Sequence, residues 1–146
     1  MFIRGRRLRQ NENIRNLVEE TSISVNDLIM PIFLMDGKNK AEKISSMPGI
    51  FRKTLDGQLK DIDLAIKLGI NALIIFPVIK EKLKDPLGKE ALNKKGLIPK
   101  AISAIKKKFP KILVITDVAL DPYNSDGHDG VLKDGEILND KTVEIL

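Results

Sequence analysis

The chain predicts an α/β fold with successive parallel strands, and three observations carry that prediction. Runs of β-branched and aliphatic residues begin at about residues 28, 72 and 112, a spacing of roughly forty that leaves room for a helical crossover between neighbouring strands. The segments between them repeat apolar residues at helical offsets. Directly after the third run comes the acidic loop Thr116 to Gly130, so carboxylates stand at a strand's C-terminal end, where α/β proteins place their chemistry.

In chain order, residues up to about 11 are polar and basic without periodicity, which predicts an arm outside the main core. Asn11 or Asn13 is suited to cap a short helix whose apolar face would hold Ile14, Leu17 and Val18. Residues 1–26 thus form an N-terminal arm, and residues 27–146 the α/β domain. Asp27 to Leu34 is a strand whose Pro31 fits an edge or an irregular point. A polar loop follows. Leu55, Leu59, Ile62 and Ile66 then recur at offsets of four, three and four, with Thr54 placed as an N-cap and Gly69 at the C-terminal turn. The strand Ala72 to Phe76 leads into a polar loop from Lys80 to Lys95. A second helix carries Ile98, Ala101, Ile102, Ile105 and Phe109 on one face, ends on the cations Lys106, Lys107 and Lys108, and is stopped by Pro110. Ile112-Leu113-Val114-Ile115 reads as a buried parallel strand. Asn139 or Asp140 would cap a third helix with Val143 and Leu146 on its apolar face, and a chain ending so soon after a helix start reads as a piece of a longer protein.

Composition narrows the chemistry. The 146 residues hold 25 basic and 20 acidic side chains, and 42% are hydrophobic, enough for one core. There is no cysteine, which removes disulfides, thiolate zinc sites and a cysteine nucleophile. Any metal would be a hard cation on oxygen ligands, such as Mg²⁺. The longest apolar run, Ala72 to Ile79, is too short to span a bilayer, so no membrane partner is expected and a cytoplasmic protein is the default. Arg4, Arg6, Arg7 and Arg9 would suit phosphate, but no aromatic residue is interleaved with them and no nucleic-acid partner is expected. No glycine pattern of a phosphate-binding loop is present.

The functional weight falls on Asp117, Asp121, Asp126, Asp129 and the only histidine, His128. Carboxylates this close together repel one another unless a cation, a donor or a polar substrate lies among them. A solvated acidic turn is the competing reading, since Asp, Asn, Ser and Gly are ordinary turn residues. Two further readings follow from the same residues. In a small α/β Mg²⁺-binding or signalling module, Asp117 and Asp121 would hold the ion, although the first strand is followed by a single acid, Asp36. A nucleic-acid-binding protein would use the arginine arm.

Taken together, Arg6-Arg7-Leu8-Arg9, Leu17-Val18-Glu19-Glu20-Thr21, Asp27-Leu28-Ile29-Met30-Pro31-Ile32-Phe33, Ser46-Met47-Pro48-Gly49, Phe76-Pro77-Val78-Ile79 and Ile115 to Gly130 resemble, in order and spacing, the porphobilinogen synthase (5-aminolevulinate dehydratase) family over the whole chain. The resemblance implies the N-terminal portion of a (β/α)₈ TIM barrel, about three βα units, preceded by an extended arm that embraces a neighbouring subunit, usually within a homo-octamer. It implies condensation of two 5-aminolevulinate molecules to porphobilinogen in tetrapyrrole synthesis. The loop Asp117, Asp121, Tyr123, Ser125, His128 and Asp129 would belong to the substrate-binding mouth. Zinc-dependent members carry cysteines where this chain has Ala119, Asp121 and Asp129, so it resembles the zinc-independent, aspartate-bearing branch, with Asp121 and Asp129 as candidate ligands for Mg²⁺ or K⁺. Where the family commonly has Thr and His, this chain has Asn124 and Asp126. The family's two Schiff-base lysines lie beyond this stretch, so the chain alone is expected to be inactive. Lys80, Lys82 and Lys84 stand beside Glu81 and Asp85 in a polar loop, not in the desolvated setting an imine-forming lysine needs.

Overall fold

The computed structural model describes residues 5–146, so residues 1–4 of the expected arm lie outside the described part. Helix α1 (Glu12–Leu17) starts where Asn11 accepts the Ile14 backbone N–H at 3.0 Å. Its apolar stripe is not buried, with Ile14 half-buried and Leu17 85% exposed. A 3-10 turn at Val25–Asp27, closed by a reciprocal Ser24 and Asp27 capping box, precedes the sheet.

The sheet has five strands: β1 (Met30–Met35), β2 (Ala41–Lys43), β3 (Phe51–Thr54), β4 (Ala72–Val78) and β5 (Leu113–Thr116). Their spatial order is β2-β3-β1-β4-β5. All pairs are parallel except β2 with β3. The hairpin formed by β2 and β3 stands where the sequence predicts only a polar loop between the first strand and the helix that follows. β1 also starts later than predicted, because residues 25–27 are spent on the 3-10 turn. Although β1 is an interior strand, its register with β3 begins only at Phe33. At Pro31, opposite Ile74, β4 is therefore the sole neighbour, which is how a residue without an N–H is accommodated.

One face of the sheet is sealed by α2 (Leu55–Lys67) and α3 (Leu97–Lys108). Ile32 and Leu34 of β1 and Leu73 and Ile75 of β4 alternate onto that face and meet Ile62, Ala101 and Ile105 from the helices. Gln58, buried in α2, donates to the Phe33 carbonyl at 2.8 Å and ties that helix to β1. Thr54 occupies the cap position of α2, but its hydroxyl donates to the Lys40 carbonyl and accepts the Lys40 N–H, joining the helix start to the loop before β2. Gly69 takes φ 92° after α2, in the left-handed region that favours glycine. The other face holds Phe33, Met35, Phe76 and Val78, all half-buried, with the Phe33 and Phe76 rings stacked at 5.6 Å.

Two further corrections concern the C-terminal third. β5 is not a buried strand: it is the last of the sheet, has one neighbour, and leaves Leu113 58% exposed. After it, β6 (Leu132–Lys133) and β7 (Glu136–Ile137) form a small hairpin, and α4 (Asn139–Ile145) begins with Leu138 as its cap residue. Thr142 rather than Val143 or Leu146 faces inward from α4, because it is the side chain that reaches a backbone N–H in the preceding loop.

The contrast between interior and edge strands is measurable. Leu73→Ala should cost about 2–5 kcal/mol, as large-to-small changes in cores do. Leu113→Ala should stay within about 0.5 kcal/mol in the same urea titration, as substitutions at exposed positions do.

Candidate active site

The parallel strands β1, β4 and β5 end on one edge and lead, directly or through one residue, to a polar side chain. β1 is followed by Asp36, β4 by Ile79 and Lys80, and β5 by Asp117. Asp36 and Lys80 form an ion pair across the β1 and β4 ends, and the Lys80 hydrogen bond holds the Asp36 carboxyl below its usual range. Beside them lies a cavity of about 220 Å³, lined among others by Asn93, Gly96 and Lys100.

The acidic loop is built on two buried residues. Leu120 has no exposed surface, and its carbonyl accepts the N–H groups of both Tyr123 and Asn124 at 2.8 Å, which makes a single helical turn of residues 120–124. Leu120 packs against Gly88, whose φ of 62° and close approach to the Leu120 side chain leave little room for a Cβ. Asn124, 1% exposed, lies beside Asp85 in a short parallel bridge: Asp85 N–H donates to the Tyr123 carbonyl, and Ser125 N–H donates to the Asp85 carbonyl. The far end of the loop is fixed by the Val131 N–H, which donates to the Thr142 hydroxyl at 3.0 Å.

From this anchored frame Asp117, Asp121, Ser125, Asp126, His128 and Asp129 project as exposed residues. Asp121 is the electrostatically marked one. Its carboxyl is raised above the usual range, first by partial desolvation and then by the charges of Asp129 and Asp117, with Lys84 acting in the opposite sense. Three of the predicted acids therefore share one field. Tyr123 is turned toward the loop that follows β4, where burial and then Glu90 push its phenol up. Ser125 contributes its backbone N–H to the Asp85 bridge.

Among the described residues no group of three or more His, Cys, Asp or Glu side chains converges to hold a metal ion. Asp121 and Asp129 would supply only part of an oxygen shell, since Mg²⁺ takes octahedral coordination and larger hard cations more ligands. Water would have to complete the shell, as it commonly does for Mg²⁺ held by one or two carboxylates. Sequence reasoning missed Asn124, Asp85 and Thr142, which hold the loop from within. Asp85-Pro86 and Gly88 carried a turn signal, but nothing local indicated that this turn meets residue 124.

Comparison with known proteins adds a separate line. The family model for delta-aminolevulinic acid dehydratase matches residues 2–146. The delta-aminolevulinic acid dehydratase of Bradyrhizobium diazoefficiens is 48% identical over 146 residues, covering 100% of this chain and 41% of its own. The chloroplastic enzyme of that name from Hordeum vulgare is 48% identical over 145 residues, 98% of this chain and 34% of its own. A crystal structure of delta-aminolevulinic acid dehydratase (porphobilinogen synthase) from Toxoplasma gondii ME49, in complex with the reaction product porphobilinogen, superposes with a TM-score of 0.94 at 41% identity, over 99% of this chain and 42% of that one. The chain thus spans less than half the length of these relatives.

The field at Asp121 gives a signed pH prediction. Because its folded-state carboxyl holds a proton more tightly than the unfolded one, folding loses stability as pH rises from the ordinary carboxylate value near 3.8 through the raised one. Asp121→Asn should therefore stabilise the fold at pH 7, by less than about 1 kcal/mol given its exposure to screening solvent, and raise the thermal midpoint accordingly. At pH 3, where the carboxyl is protonated in both states, the variant and wild type should melt together.

Proposed function

The chain belongs to the delta-aminolevulinic acid dehydratase family, and from that premise we propose that it forms the N-terminal part of a porphobilinogen synthase. In this reading β1, β4 and β5 with their helices are early βα units of a (β/α)₈ barrel, and residues 1–26 are an arm that joins subunits of a homo-oligomer. The half-buried face with Phe33 and Phe76 becomes barrel interior once further strands extend the sheet beyond β5. The exposed Leu17 and Ile23 of the arm become subunit contacts.

The observation that carries the functional reading is the acid field of Asp117, Asp121 and Asp129 at the C-terminal edge of the parallel sheet. 5-Aminolevulinate brings an ammonium group. Placed among these carboxylates, an ammonium converts their repulsion into charge-assisted hydrogen bonds and fixes the direction of the amine. Asp121, whose proton affinity is raised, is the member best suited to exchange a proton with that amine. Covalent capture of the substrate ketone falls to lysines outside this stretch. The lysines nearest the edge are engaged elsewhere, Lys80 with Asp36 and Lys84 with Glu81.

A chimera tests this directly. Fused to the remaining C-terminal portion of the Bradyrhizobium relative, this chain should produce porphobilinogen from 5-aminolevulinate. Asp121→Ala in the chimera should lower kcat/KM by about 10²–10³-fold, the scale for losing one oriented electrostatic group. A chimera that is active and indifferent to substitution at both Asp121 and Asp129 would contradict the reading.

A further inference from the structure

Asn124 stands out because it is a polar side chain with 1% exposure inside a loop whose acids, Ser125 and His128 face solvent. Its amide makes three hydrogen bonds in three directions. The Nδ2 group donates to the Gly130 carbonyl at 3.1 Å and to the Pro86 carbonyl at 3.3 Å, and Oδ1 accepts the Asp126 N–H at 2.5 Å. The first closes the loop on itself just after Asp129, the second fastens it to the segment after β4, and the third sets the backbone between Asp121 and Asp129. Pro86 follows Asp85, whose backbone bridges residues 123 and 125, and Lys84 stands one residue further back. A single buried amide thus joins the carboxylate-bearing loop to the segment that carries Lys84, a cation whose charge acts on Asp121.

We propose that Asn124 is the positioning residue of the acidic loop: its amide locks the loops after β4 and β5 together and thereby sets the mutual placement of Asp121 and Asp129. Asn124 reaches no substrate in this arrangement. Its consequence for amine binding rests on the function proposed above, whereas its consequence for loop geometry does not. The hydroxyl of a threonine, the residue common here in the resembling family, can accept from one N–H and donate to one carbonyl. Asparagine adds the second donor, so this chain holds the two loops by one link more.

The test is NMR on the whole 146-residue chain with Asn124→Leu, similar in volume but without hydrogen bonds, and with Asn124→Thr. In the leucine variant the Ser125 and Asp126 amides should exchange with solvent about tenfold faster or more, the effect of opening hydrogen bonds of ordinary strength. Amides of Leu73 and Ile75 should keep their rates. The threonine variant should recover most of the loop protection. On titration with 5-aminolevulinate, amide shifts of Asp117, Asp121 and Asp129 should saturate at about tenfold higher concentration in the leucine variant than in wild type. Unchanged exchange in the leucine variant overturns the lock, and a loosened loop that binds as wild type does overturns its consequence for amine binding. Should the leucine variant lose core protection as well, the threonine variant decides: loop protection equal to wild type supports the lock, and loss equal to leucine overturns it. A wild-type chain whose loop signals ignore 5-aminolevulinate while exchange behaves as expected overturns the substrate reading and leaves the lock standing.

Discussion

Strand β4 lies between two parallel neighbours, β1 and β5, and its Leu73 and Ile75 have no exposed surface. Everything at the polar edge depends on that register. Because Ile32 stands opposite Ile75, β1 and β4 end together and Asp36 meets Lys80, whereas β5 ends at Thr116 opposite Ile75, so Asp117 leaves the sheet lower on the same edge. Packing of α2 and α3 on one face alone fixes which residues alternate outward, and the same choice leaves Phe33 and Phe76 on the opposite face. A one-residue slip of β5 would move both the apolar pattern and the start of the acidic loop.

Where helical or strand periodicity was strong, the fold was legible in the sequence. The apolar positions of α2 and α3 that were predicted to face the core do so, because a 3.6-residue repeat of isoleucine and leucine over three turns admits one burial solution. The hairpin of β2 and β3 was hidden because its residues lack alternation: Ala41, Glu42 and Lys43 are all exposed, and Lys53 faces the helices only by pairing with Asp61. The β6 and β7 hairpin had a usable signal in Asp134-Gly135, which take φ of 51° and 86°, the conformation of a two-residue turn. Strands of two residues carry too few side chains for a period to register.

The candidate site divides the same way. Its acids could be named from their density after a strand, since the chemistry depends on residue type. What holds them could not be named, because it depends on contacts between residues far apart in sequence, such as Asn124 with Pro86 and Val131 with Thr142. Turn-forming residues are common in loops, and only tertiary structure distinguishes an asparagine facing water from one whose amide is saturated by backbone. The resemblance to porphobilinogen synthases implies that the loop belongs to a substrate-binding mouth. The geometry adds that the loop is anchored through Leu120, Asn124 and Val131 rather than being a free acidic turn.

The proposed division of labour has this stretch supply carboxylates that orient an amine, while lysines beyond it capture the ketone. Incubating the chain with 5-aminolevulinate and borohydride and then weighing it intact is the sharpest test, and the mass should be unchanged. A mass increase matching a reduced imine, mapped to Lys80, Lys84 or any other lysine of the chain, would contradict it.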